Sequence, residues 1–110
     1  MNTERMDGKV IVITGAGSGM GAAMAKDFAA RGAGIAILDL DEARGMAVAE
    51  RIQSANGKAV YKKTDVTDKQ AVQKAADEVE QELGNITSWI NSAGVSKMVP
   101  FLKAVRSCGI

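Results

Sequence analysis

The sequence predicts an α/β domain: an open, doubly wound parallel sheet of four strands in the spatial order 3-2-1-4, with three helices. Three observations predict it. The short apolar runs at 10–13 and 35–38 have the length and β-branched composition of strands buried on both faces. Between and beyond these runs, apolar residues recur at three- and four-residue spacings, the period of helices lying on a sheet. Finally, Gly15, Gly19 and Gly21 separate the first run from an Ala-rich helical pattern. Strand, glycine turn and helix in that order aim free backbone N–H groups and the positive helix end at a phosphate. A Cβ at such positions would block the tight turn or the close approach of a pyrophosphate.

Composition narrows the function classes. With 110 residues, 46% apolar and 25% charged, the chain suits one small globular domain. A net charge of +1, with only Lys62 and Lys63 adjacent among the basic residues, gives no electrostatic case for nucleic acid or an acidic membrane. The absence of histidine removes His metal ligands and His general bases. A single cysteine, Cys108, allows no intrachain disulfide and fits a reduced cytoplasmic setting. The polar start lacks a signal peptide's apolar core, and no run approaches membrane-spanning length. The expected layout is a frayed polar tail over 1–7, a dinucleotide-binding domain over 8–96 and a truncated tail over 97–110.

In chain order, the first helix places Met20, Ala23, Met24 and Phe28 on one apolar face and closes at Gly32 as a left-handed cap. Methionines in helical register read as core filler. The second strand, 35–38, ends at Asp39. Asp41 then caps a helix over 42–55, with Ala43, Met46, Ala47, Ala49 and Ile52 on or near the buried side. Gly45 weakens that helix by up to about 1 kcal/mol relative to Ala, and Asn56-Gly57 ends it. A third strand starts at Ala59 and runs to Asp65-Val66. Thr67-Asp68-Lys69-Gln70 has the form of a capping box led by Thr67. Its helix turns Val72, Ala75, Ala76, Val79 and Leu83 inward and stops at Gly84. The fourth strand, 86–90, is less apolar because of Thr87 and Ser88, and runs into Asn91-Ser92-Ala93-Gly94.

A ligand crevice in such a sheet lies beyond the carboxyl ends of the first and fourth strands. Asp39, eighteen positions after Gly21, stands at the carboxyl end of the second strand. A carboxylate there can accept both hydroxyl hydrogens of an adenosine ribose while repelling a 2′-phosphate; it can also serve as helix N-terminal charge. Neither Ser18 nor Leu40 is the basic residue that a 2′-phosphate would want. NAD is therefore expected over NADP. A phosphate-loop NTPase is excluded, since no Gly-Lys-Ser/Thr follows the glycines.

Thr14-Gly15-Ala16-Gly17-Ser18-Gly19-Met20-Gly21 resembles the Thr-Gly-x-x-x-Gly-x-Gly motif of the short-chain dehydrogenases and reductases. Asp65-Val66 is similar to that family's third-strand motif, and Asn91-Ser92-Ala93-Gly94 to its Asn-Asn-Ala-Gly. The resemblance covers residues 8 to 101, the first half of a family member. It implies that Gly15, Ser18, Gly19, Met20 and Gly21 surround the pyrophosphate and nicotinamide end. It places Asp39 at the adenine ribose, Asp65 at the adenine amino group with Val66 beside it, and Asn91, Ala93 and Gly94 under the ribose, and Leu40 counts with them among the cofactor-binding positions. Asp65 can instead simply cap a strand end. These motifs argue against methyl transfer, a different chemistry on the same fold.

Two departures bear on function. Ser92 replaces the motif's second Asn, and Ser88 stands where the family's fourth strand is usually apolar. A third concerns catalysis. The family uses a Tyr followed four positions later by Lys, with an upstream Ser and Asn, to move the proton that accompanies hydride transfer. Here the one tyrosine is Tyr61, inside the third strand, and Asp65 stands four positions later. The chain is expected to be the cofactor-binding portion of such an oxidoreductase without its catalytic pair. The alternatives are a non-catalytic NAD-binding module, a fragment that self-associates or pairs with a full-length relative, and a truncated product with little function.

Overall fold

The computed structural model describes residues 5–15 and 19–91. Its elements are β1 (Val10–Thr14), α1 (Gly19–Ala30), β2 (Gly34–Asp39), α2 (Glu42–Ser54), β3 (Lys58–Lys63), α3 (Lys69–Leu83) and β4 (Ser88–Asn91). The strands form one parallel sheet in the order β3-β2-β1-β4. Four strands alternating with three helices in this order were the arrangement expected from the apolar runs.

β1 is buried along its whole length, so both faces of the sheet need cover. On one face α1 and α2 pack Ala25, Ala29, Val48, Ala49 and Ile52 against Ile11, Ile13, Ile35 and Ile37. On the other, α3 packs Ala75 and Val79 against Val10, Val12, Ala36 and Leu38. Alternation along each strand sends neighbouring side chains to opposite layers. Trp89 accordingly joins the α3 layer and Ile90 the α1/α2 layer.

The helix phases differ from the predicted ones. Met20 is 72% exposed and Ala23 is exposed, whereas Gly21, Ala25 and Ala29 are buried, with Met24 and Phe28 half-buried. A ridge of small residues four apart brings α1 close to the sheet and turns the bulky Met20 outward. In α2, Ala43, Met46 and Ala47 face solvent, and Gly45, Val48, Ala49 and Ile52 are buried. Gly45 lies inward because the Tyr61 ring occupies the space that a Cβ would take.

Several boundaries also move. α3 is capped by Asp68, whose carboxylate accepts from the N–H groups of Gln70 and Ala71 (3.0 and 3.3 Å), one position later than the Thr67 cap expected. Thr67 is diverted because its hydroxyl and N–H both donate to Asp65. β3 ends at Lys63; Thr64 N–H still bonds the Asp39 carbonyl, and Asp65 and Val66 leave the ladder. β4 starts two residues late: Ile86 N–H donates to the Glu80 carboxylate, and the Thr87 hydroxyl both accepts from Val10 N–H and donates to Val10 O. The polar Thr87 thus docks onto β1 through its hydroxyl as well as its N–H, which donates to Val10 O at 2.8 Å. Residues 5–7, expected to fray, are held: Met6 N–H donates to Arg31 O at 2.7 Å, and the Met6 side chain packs on the core. Gly32 and Gly84 end α1 and α3 as predicted, both with positive φ.

Candidate functional site at the carboxyl ends of the strands

Parallel pairing brings the carboxyl ends of all four strands to one side of the sheet. Thr14 lies in register with Leu38 on one side and Asn91 on the other. Its fully buried hydroxyl donates to Asn91 Oδ1 at 2.8 Å. The chain leaves β1 through Gly15, at φ +68°, whose N–H donates to Leu38 O. Gly15 is required here because that φ lies in the left-handed region. α1 then begins at Gly19, exposed, and Gly21 is buried. The strand order reverses between β1 and β4, and this is where open α/β sheets bind ligands.

Asp39 is the last residue of β2 and is half-buried. Its Oδ1 accepts from the Asp41 N–H at 3.0 Å. Asp41 in turn caps α2 by accepting from Arg44 N–H, and its carboxylate pairs with the Arg44 guanidinium. The Asp39 carbonyl accepts from the Tyr61 hydroxyl at 2.6 Å and from Thr64 N–H at 3.2 Å. Leu40, beside it, is 56% exposed. Burial, then the nearby Asp39, Glu42 and Asp41 carboxylates, raise the Tyr61 phenol above its usual value, keeping it a donor.

Asp65 and Val66 sit in the turn between β3 and α3. The Thr67 hydroxyl and N–H, at 2.6 and 2.9 Å from Asp65 Oδ1, hold that carboxyl below the usual carboxylate range. Asp65 thus closes the turn after its strand, the local role open to it from sequence. Gly15, Gly19, Met20, Gly21, Asp39, Leu40, Asp65, Val66 and Asn91 are placed at or just after strand ends; Ser18, Ala93 and Gly94 lie outside the described residues. Sequence reasoning passed over Tyr61 as a plain strand residue. A glycine in mid-helix, Gly45, was the one signal that an aromatic ring pressed on α2.

Among the described residues no cluster of His, Cys, Asp or Glu could hold a metal ion. No helix among them is long and apolar enough to cross a membrane. A groove of about 690 Å³ lies on the outer flank of β3, between α2 and α3, and is lined by Met46, Gln53, Tyr61, Lys62 and Lys74. None of the sequence-predicted site residues lines it, although Tyr61 and Thr64, which both bond the Asp39 carbonyl, do.

An open parallel sheet with a glycine turn after β1 and a carboxylate ending β2 defines a nucleotide-binding α/β protein. The family model described as short chain dehydrogenase matches residues 9–107, and the chain belongs to that family of oxidoreductases, whose cofactors are nicotinamide dinucleotides. It is 44% identical over 96 residues to D-threitol dehydrogenase of Mycolicibacterium smegmatis, covering 87% of this chain and 37% of that protein. A hydroxysteroid dehydrogenase from Escherichia coli superposes with a TM-score of 0.76 at 34% identity, over 81% of this chain and 38% of the other. A short-chain dehydrogenase/reductase from Burkholderia phymatum in complex with NAD gives 0.72 at 35% identity, over 76% and 30%. The chain therefore spans about a third of the length of the curated relatives it matches.

Proposed function

We propose that this chain is the NAD-binding portion of a short-chain dehydrogenase/reductase-type oxidoreductase, with the adenine ribose held by Asp39. The observation that carries the reading is the Asp39 carboxylate, half-buried at the end of β2, one strand from the glycine turn. Its position suits two hydrogen bonds to ribose hydroxyls and opposes a 2′-phosphate. The left-handed Gly15 and the start of α1 suit a diphosphate, with Gly19, Met20, Gly21 and Ser18 around it. Exposed Leu40 stands beside Asp39, Asp65 and Val66 are assigned to the adenine edge, and the family motif assigns Asn91, with Ala93 and Gly94 outside the described residues, to the ribose.

The bound cofactor supplies a nicotinamide ring able to accept or give a hydride. In these 110 residues no Tyr is followed by Lys four positions on, so the proton on the substrate oxygen has no family-type partner here. The chain by itself binds NAD and does not turn over an alcohol by the family mechanism unless a second chain supplies the missing pair. The NAD-complexed relative from Burkholderia phymatum supports the choice of cofactor.

Isothermal titration of the chain with NAD and NADP, beside Asp39→Ala, tests the assignment. Wild type binds NAD more tightly than NADP. Asp39→Ala weakens NAD by about 1.5–3 kcal/mol, the value of hydrogen bonds to a charged group, and narrows the gap to NADP. Equal affinity for the two dinucleotides in the wild type contradicts the assignment.

A further inference from the structure

We propose that Tyr61 is a positioning residue for Asp39, which makes the outer strand β3 part of cofactor recognition; this rests on the reading of Asp39 as the ribose ligand. The phenol reaches the β2–α2 turn from the neighbouring strand and holds it at both ends. Its hydroxyl donates to the carbonyl of Asp39, the residue that ends β2, at 2.6 Å. Its ring lies against Gly45 in the first turns of α2, where any Cβ would overlap the ring carbons.

Between these two points run four connected hydrogen bonds. Thr64 N–H shares the Asp39 carbonyl, Asp41 N–H meets Asp39 Oδ1, Asp41 Oδ1 accepts Arg44 N–H, and Gly45 N–H donates to Asp41 O at 2.9 Å. The direction in which the Asp39 carboxylate leaves β2 is thereby set by the carbonyl that Tyr61 holds and by the start of the helix against which its ring packs. A carboxylate fixed beforehand spends no ordering entropy when it meets a ribose. Gly45 is explained by the same contact. It lies in a helix interior, where Ala is intrinsically better, and the ring leaves no room for the change.

The test is a set of NAD and NADP affinities for the full chain as wild type, Tyr61→Phe, Gly45→Ala, Asp39→Ala and the double variant Tyr61→Phe/Asp39→Ala, with circular dichroism melts alongside. Tyr61→Phe keeps the ring on Gly45 and removes the hydroxyl alone. It is expected to weaken NAD about threefold to tenfold, the worth of one hydrogen bond, and to leave NADP unchanged. In the Asp39→Ala background the same change has no further effect on NAD, because contacts that work through one another are not additive. Gly45→Ala, which displaces the ring while keeping the hydroxyl, gives the same NAD-selective loss and stands in should Tyr61→Phe fail to fold. A Tyr61→Phe loss of equal size with and without Asp39, or no loss, overturns the proposal while leaving Asp39 in place. An Asp39→Ala variant that binds NAD as the wild type does overturns both.

Discussion

Thr14 joins β1 to its neighbour β4 where the two strands end. Its hydroxyl is wholly buried and donates to Asn91 Oδ1, so one side chain fixes the β1 exit beside the β4 exit. Replacing it with the isosteric Val keeps the packing and removes the donor. Thr14→Val is expected to lower unfolding stability in urea by about 1–3 kcal/mol, the cost of taking one partner from a buried hydrogen bond, and Thr14→Ser to recover most of it. Equal midpoints for Val and wild type would remove this tie from the account. The motif that includes Thr14 was legible in the sequence; its partner across the sheet was not, because residues 14 and 91 meet only through strand pairing. Tyr61 and Gly45 make the same point. Local pattern shows a helix weakened by glycine, and only the tertiary contact shows what the glycine admits.

Among the elements, the start of α3 separates two side chains that the sequence merges. Asp68 caps the helix and Thr67 locks Asp65. Asp68→Ala is therefore expected to cost about 1 kcal/mol, the usual worth of an N-cap. Thr67→Ala acts instead through Asp65, whose native carboxyl titrates below its ordinary value. A carboxyl lowered in the native state is protonated first in the unfolded chain. Its stabilising effect is complete above the ordinary carboxylate range and is lost as the pH falls through the lowered native value. Denaturation followed across acidic pH should show a shallower fall for Thr67→Ala than for wild type; an identical acid limb contradicts the assignment. Asp65 is only half-buried, so solvent screens its carboxylate and it contributes little in absolute terms. The strand boundaries were misjudged for a related reason. Residues 86 and 87 bond to Glu80 and Val10 through side chains, which a count of apolar residues does not register.

For the whole molecule, β1 decides the architecture. A strand buried on both faces lies in mid-sheet with helices on either side, so the parallel order β3-β2-β1-β4 was readable from the apolar runs and the glycine turn. Less readable was the helix rotation, which depends on small residues such as Ala25 and Ala29 approaching the sheet closely. The outer edge is guarded by Lys58, Lys62 and Lys63, with Lys62 tied to Glu78 and Glu82. Charge on an edge strand discourages pairing with another chain.

The central claim is that a dinucleotide lies across the carboxyl ends of β1, β2 and β4, and a crystal structure of the chain with NAD tests it most directly. The account predicts the diphosphate against the turn at residues 15–21 and the adenine ribose hydroxyls within hydrogen-bond reach of the Asp39 carboxylate. A dinucleotide seated in the groove beside β3, or a ribose turned away from Asp39, would contradict it.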